Sequence, residues 1–116
     1  MSKKQEKIKR ELRKIYHEIL LERNSCSGCG MNGNVVPLSF SHIIPRSRRR
    51  DLVTDRNNIT LHCLTFVDTN GNSRKGCHEM WESSKDRDKL LDYFYNLAYI
   101  KEVDEEYYYI ITELNA

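Results

Sequence analysis

Apolar residues recur along the first part of the chain with a helical period. Ile8, Leu12, Ile15 and Ile19 fall at i, i+4, i+7 and i+11 and make one stripe, which Tyr16 and Leu20 widen. Lys and Arg fill most of the opposite face, and Asn24-Ser25 ends the run, so the pattern predicts an amphipathic helix over residues 3–23. Residues 26–34, CSGCGMNGN, are turn-forming. The period then changes to two: Val36, Leu38, Phe40 and His42 alternate with polar or small neighbours, a strand that Pro45 stops. A second short strand runs from Asn58 to Leu64 through Ile59, Leu61 and Cys63. Between the strands lies a polar, Arg-rich loop over residues 46–56, and residues 68–76 form a turn-rich excursion. Cys77-His78 opens a short helical stretch, and Ser83 or Ser84 caps another helix carrying Leu90, Leu91, Phe94, Tyr95, Leu97 and Ala98. In the tail, residues 102–114, Tyr107, Tyr109 and Ile111 alternate with Tyr108, Ile110 and Thr112, which predicts a final strand or an extension docked on the core. No internal repeat and no second domain is visible. The expectation is one α+β domain over residues 1–116: helix 1–23, core 24–84, then a C-terminal helix and tail over 85–116.

Composition makes a large core hard to build. The chain is 39% hydrophobic and 31% charged over 116 residues, so an added staple is expected on stability grounds. The net charge of +2 hides an asymmetry. Residues 1–50 carry twelve Lys/Arg against four acids, a net +8, and residues 51–116 carry seven against thirteen, a net −6. That points to a basic face for a polyanion, although a solvated helix and a charged loop give the same count. No apolar run is long enough to cross a bilayer or to act as a secretory h-region, so the expected location is intracellular, the cytoplasm of a host cell if the protein is phage-encoded.

A reducing cytosol gives four cysteines in a short chain a metal to hold rather than disulfides to form. Cys26 and Cys29 make a CxxC knuckle able to bend onto one tetrahedral cation. Cys63 and Cys77 are the natural second pair, although thirteen residues separate them where two to four are usual. The alternatives are that Cys63 and Cys77 are small buried hydrophobes, or that His62 replaces one of them as ligand. A structural Zn²⁺ would contribute on the order of 10 kcal/mol of folding free energy.

Three further pieces follow in order: Ser41-His42-Ile43-Ile44-Pro45-Arg46, then Asn57-Asn58-Ile59-Thr60-Leu61-His62-Cys63, then Gly76-Cys77-His78. Together with the CxxC knuckle, this string over residues 24–84 resembles the HNH (His-Asn-His) endonucleases, whose core is a zinc-stapled ββα-metal fold. Hydrolysis of a phosphodiester needs an activated water, a cation on the scissile phosphate and stabilisation of the leaving oxygen. The resemblance implies that His42 is the general base. It implies that Asn58, with Asn57 one residue away as fallback, holds the loop carrying that base, and that His78 is a ligand of a catalytic Mg²⁺ or Mn²⁺. In many members Asp, Glu or His precedes the base as a second ligand; this chain has Ser41, a much poorer one. Glu82, four residues after His78 on the predicted helix, is the candidate to replace it, where several members carry a second histidine.

Arg46, Arg48, Arg49 and Arg50 follow the expected base and suit phosphate oxygens, so backbone contacts to DNA, double-stranded DNA first, are expected. The resemblance leaves open a homodimer or a larger phage complex. Two other functions compete with a metal-dependent DNA endonuclease. One is a zinc-stabilised DNA-binding protein with weak or no catalysis, for which Ser41 is the argument. The other is a protein-interaction module docking through the Tyr-rich acidic tail from Glu102 to Glu113.

Overall fold

The structure, a computed structural model, describes residues 2–114. Ser2 caps the first helix, α1 (Lys3–Glu22): its hydroxyl accepts from the Gln5 backbone N–H, and the Gln5 side chain accepts from the Ser2 N–H, both at 3.1 Å. The predicted stripe is the inward face, except that Leu20, expected to widen it, is exposed. Ile19 is buried, Leu12, Ile15 and Tyr16 pack beside it, and the Tyr16 ring stacks on Phe40 with centroids 4.0 Å apart.

The two predicted strands form one antiparallel hairpin of β1 (Leu38–His42) and β2 (Ile59–Cys63). Its register pairs Leu38 with Cys63, Ser39 with His62, Phe40 with Leu61, Ser41 with Thr60 and His42 with Ile59. Side chains alternate across the pleat, so the hairpin has two different faces. Phe40, Ile59 and Leu61 face α1, whereas Ser39, Ser41 and His62 face the helix α2 (Cys77–Glu82). Covered on both sides, β2 is buried at every position. Val36 lies in the turn before β1 rather than in the strand, and is still buried in the core.

After β2 the chain makes a small excursion, the hairpin of β3 (Phe66–Val67) and β4 (Ser73–Arg74). Asp68 organises it, accepting from the Asn70 and Asn72 N–H groups at 2.9 and 3.0 Å and pairing with Arg74 at 2.7 Å. The chain thus leaves Cys63 and returns at Cys77, which accounts for the long spacing between the two cysteines.

Two expectations for the C-terminal half do not hold. Ser83 ends α2, and residues 83–92 are turns around a single 3-10 turn (Arg87–Lys89), so Leu90 and Leu91 are not helical; the next helix, α3 (Tyr93–Val103), begins after Asp92. The tail is a helix, α4 (Glu105–Leu114), not a strand. Asp104 accepts from the Tyr107 N–H at 3.2 Å, and Glu105 and Glu106 sit in the positive first turn. The aromatic run is therefore read with helical period: Tyr107, Tyr108 and Ile111 turn inward and Tyr109 and Ile110 stay exposed. The domain among the described residues is α+β, with four helices and two small antiparallel sheets. Among the described residues, no helix is long and apolar enough to cross a membrane.

Candidate metal centre and active site

The four cysteines converge from three places in the chain. Cys26 and Cys29 come from the knuckle, Cys63 from the end of β2 and Cys77 from the start of α2, and all four sulfurs lie within 4.8 Å of one another. A tetrahedral zinc with bonds near 2.3 Å needs sulfurs about 3.8 Å apart, and Cys29 and Cys63 stand at 3.9 Å. Backbone N–H groups point at the sulfurs as thiolates require: Gly28 and Cys63 donate to Cys26 Sγ at 3.3 and 3.2 Å, and Cys77 donates to Cys63 Sγ at 3.3 Å. The hydrogen bond from Cys77, and then those backbone donors, draw the Cys26 thiol down to about 4 against the opposing effect of burial. The same bond and burial push Cys77 up, and burial lifts Cys29 to about 11. Four crowded sulfurs cannot all ionise without a cation between them, and the donor set is compatible with a structural zinc.

Glycine makes the approach possible twice. A Cβ on Gly28 would stand 2.7 Å from the Cys77 Cβ, and one on Gly76 would lie 2.3–2.5 Å from backbone atoms of residues 63–65. Gly76 in turn donates its N–H to the Thr65 hydroxyl at 3.1 Å, tying the start of α2 to the end of β2.

His42 is the last residue of β1 and half-buried. Its Nε2 lies 2.9 Å from the Val53 carbonyl. A carbonyl only accepts, so Nε2 carries the proton and Nδ1 keeps its lone pair. Asn58 is fully buried and clamps the loop between the strands. Its Oδ1 accepts from Ile44 N–H at 2.7 Å, and its Nδ2 donates to the carbonyls of Ile44 and Leu52, each at 3.1 Å. Trp81, buried in the core, donates to the Ile43 carbonyl at 3.1 Å. Asn57 is exposed and makes none of these contacts through its side chain.

His78 lies on the other face of the hairpin. Its Nδ1 is 2.8 Å from Ser41 Oγ and 3.1 Å from Ser39 Oγ, and its Nε2 is 3.6 Å from Glu82 Oε1. His42 and His78 thus attach to consecutive residues of one strand, His42 by its own Cα and His78 through Ser41, from opposite sides of the pleat. His62 is not among the converging sulfurs. It is fully buried, with Nδ1 2.9 Å from Ser41 Oγ and Nε2 2.9 Å from Asp92 Oδ2. Among the described residues, the cysteines are the only group of three or more metal-type side chains that converges.

The arginines divide. Arg48 forms a two-pronged pair with Asp104 at 3.1 and 3.2 Å and lies over the Tyr107 ring. Arg49 pairs with Asp51 at 2.7 and 2.8 Å and donates to the Val103 carbonyl at 3.0 Å. Both forks are therefore committed to the protein. Arg46 and Arg50 are exposed and make no ion pair among the described residues.

Sequence reasoning missed Asp92, which reads as a helix cap but turns its carboxylate to His62, and Asp104, which joins α3, α4 and the Arg loop. Acids just before an aromatic helical run were the available signal for both as caps. Their long-range partners leave no local trace. Fold and site together define a small α+β domain built around a four-cysteine cluster. No family model, curated protein or solved structure matched the chain.

Proposed function

We propose that the protein is a metal-dependent endonuclease of the HNH type, hydrolysing phosphodiester bonds of DNA. The observation that carries this reading is the setting of His42: its Nε2 is spent on the Val53 carbonyl, so Nδ1 offers a lone pair to a water. Asn58 supports it by clamping the loop whose Leu52 carbonyl immediately precedes Val53. His78 and Glu82 are the groups that would hold the catalytic ion. A donor set of one imidazole and one carboxylate suits a hard cation that keeps several waters and takes the rest of its shell from phosphate, as Mg²⁺ or Mn²⁺ does. Bound there, the ion supplies positive charge to the scissile phosphate and the leaving oxygen. The four cysteines would hold Zn²⁺ as a staple. Arg46, Arg50 and the basic face of α1 are the groups left free to meet DNA backbone.

The test is plasmid cleavage with Mg²⁺ or Mn²⁺ by the zinc-loaded protein beside His42→Ala. Loss of about 10²–10⁴ in rate is expected from removing a general base. Equal cleavage by both proteins would overturn His42 as the base. The second reading, a zinc-stabilised DNA-binding protein without catalysis, is favoured by Ser41 standing where an acidic ligand would strengthen the ion site. It predicts DNA binding by both proteins and cleavage by neither.

A further inference from the structure

The face of the hairpin under α2 carries a continuous polar chain in an otherwise buried region. Asp92 Oδ2 meets His62 Nε2 at 2.9 Å, His62 Nδ1 meets Ser41 Oγ at 2.9 Å, and Ser41 Oγ meets His78 Nδ1 at 2.8 Å. Asp92, His62 and Ser41 are 9%, 0% and 3% exposed, so the chain is largely shielded from solvent. We propose that Asp92, His62 and Ser41 form a positioning relay that fixes His78 with its proton on Nδ1 and its lone pair on Nε2, the atom facing Glu82. The inference rests on the reading of His78 as a metal ligand, and it gives Ser41 a part in the site other than ligation.

The direction of the relay follows from what each group can do. A carboxylate accepts only, so Asp92 takes the proton of His62 Nε2. Neutral His62 then has a bare Nδ1, which accepts the Ser41 hydroxyl proton. With its proton so placed, Ser41 Oγ accepts from His78 Nδ1–H. Ser39 is compatible with the same direction: with its hydroxyl donated to the His62 carbonyl at 3.3 Å, its oxygen is an acceptor 3.1 Å from His78 Nδ1. Two hydroxyl oxygens therefore receive one N–H, and the Nε2 lone pair is left for a cation. A His62 carrying protons on both nitrogens would run the chain backwards, with Ser41 donating to His78 Nδ1 and the proton displaced to Nε2. That arrangement would turn the Ser39 hydroxyl from the His62 carbonyl to His78 Nδ1, and the position of the His78 proton tells the two apart. Partners behind a ligating histidine of this kind commonly change metal affinity about 10–100-fold.

The experiment reads the ring nitrogens of His78 by long-range ¹H–¹⁵N correlation in the full-length, zinc-loaded protein. A protonated Nδ1 and an unprotonated Nε2 are expected. A proton on Nε2, or equal populations, overturns the relay. Asp92→Asn and Ser41→Ala are then compared, each first checked for a native thermal transition. Both should shift the two ¹⁵N signals towards mixed tautomers, and Ser41→Ala should weaken Mn²⁺ binding about tenfold or more, with Ser41→Thr restoring it. Unchanged ¹⁵N signals in whichever variant folds would overturn the relay. A wild-type protein with the expected tautomer that binds no Mn²⁺ and cuts no DNA would sink the nuclease reading and leave the relay standing.

Discussion

Asn57 and Asn58 are neighbours with opposite surroundings. Asn58 makes three hydrogen bonds to backbone groups, at Ile44 just before the Arg-rich loop and at Leu52 within it, while the Asn57 side chain is in solvent. Asn58→Ala strands the Ile44 N–H and the Ile44 and Leu52 carbonyls, and a buried polar group left unpaired costs about 1–3 kcal/mol. A loss of about 3 kcal/mol in urea unfolding is expected for Asn58→Ala, against about 0.5 kcal/mol or less for Asn57→Ala. Equal losses would show that the clamp is not what holds the loop. The choice between these two residues was legible in the sequence only through the spacing to Cys63. The four cysteines, the two outer histidines and Asn58 could be picked out because short local motifs carry them. Asp92 could not, since its partner is His62, thirty positions earlier on another element.

At the scale of elements, the cysteine site depends on how closely α2 approaches the end of β2. Gly76→Ala places a methyl group inside backbone van der Waals distance, and the backbone cannot rotate out of the way as a side chain would. The expected result is at least the 1–3 kcal/mol typical of overpacking, together with weaker metal retention as Cys77 is pushed from Cys63. A protein that holds its metal as tightly as wild type against a competing chelator would count against this account. The Arg loop gives the second prediction. Arg48 and Arg49 are held by Asp104 and Asp51, so Arg46→Ala and Arg50→Ala should each lower the salt slope of DNA binding by about one, and Arg48→Ala should not. A flattened slope in Arg48→Ala alone would show that the pair with Asp104 opens on DNA. The hairpin and α1 were legible because each has a regular period, although the alternation put Val36 in β1 and the strand begins at Leu38. The tail was misread because five consecutive aromatic and aliphatic residues satisfy both periods. The acidic start at Asp104-Glu105-Glu106, a helix signal, decides between them.

On the scale of the whole molecule, the apolar residues do not form one core. Ile19, Ile59 and Leu61 pack under α1 on one side of the hairpin, and the larger cluster, which includes three of the cysteines, lies on the other. A two-stranded hairpin is marginal alone, so each side depends on the other, and both depend on the ends of the hairpin being held. Paired acids add a pH dependence of known sign. Arg49 lowers Asp51, Arg74 lowers Asp68, Lys75 lowers Asp86 to about 2, and Arg48 lowers Asp104. The unfolded chain takes up protons on these groups first, near pH 4. Their stabilisation is therefore complete above that pH and is lost as the pH falls towards about 2. A zinc held by the four cysteines would tighten the same dependence, because thiolates bind it and thiols do not, so acid should then release the ion as the fold is lost. Chelation at neutral pH separates the two effects, since the carboxylates then stay ionised. Removing the ion leaves four sulfurs crowded within 4.8 Å with no cation between them, at the junction of the knuckle, β2 and α2. If zinc is the staple, its removal should open the hairpin end and take from α1 the surface on which Tyr16 stacks. The expected outcome is loss of the cooperative thermal transition and a fall in helical circular dichroism that includes α1, both restored by adding Zn²⁺. An unchanged melting curve in metal-free protein would mean that the two apolar clusters suffice and that the cysteines are packing residues only.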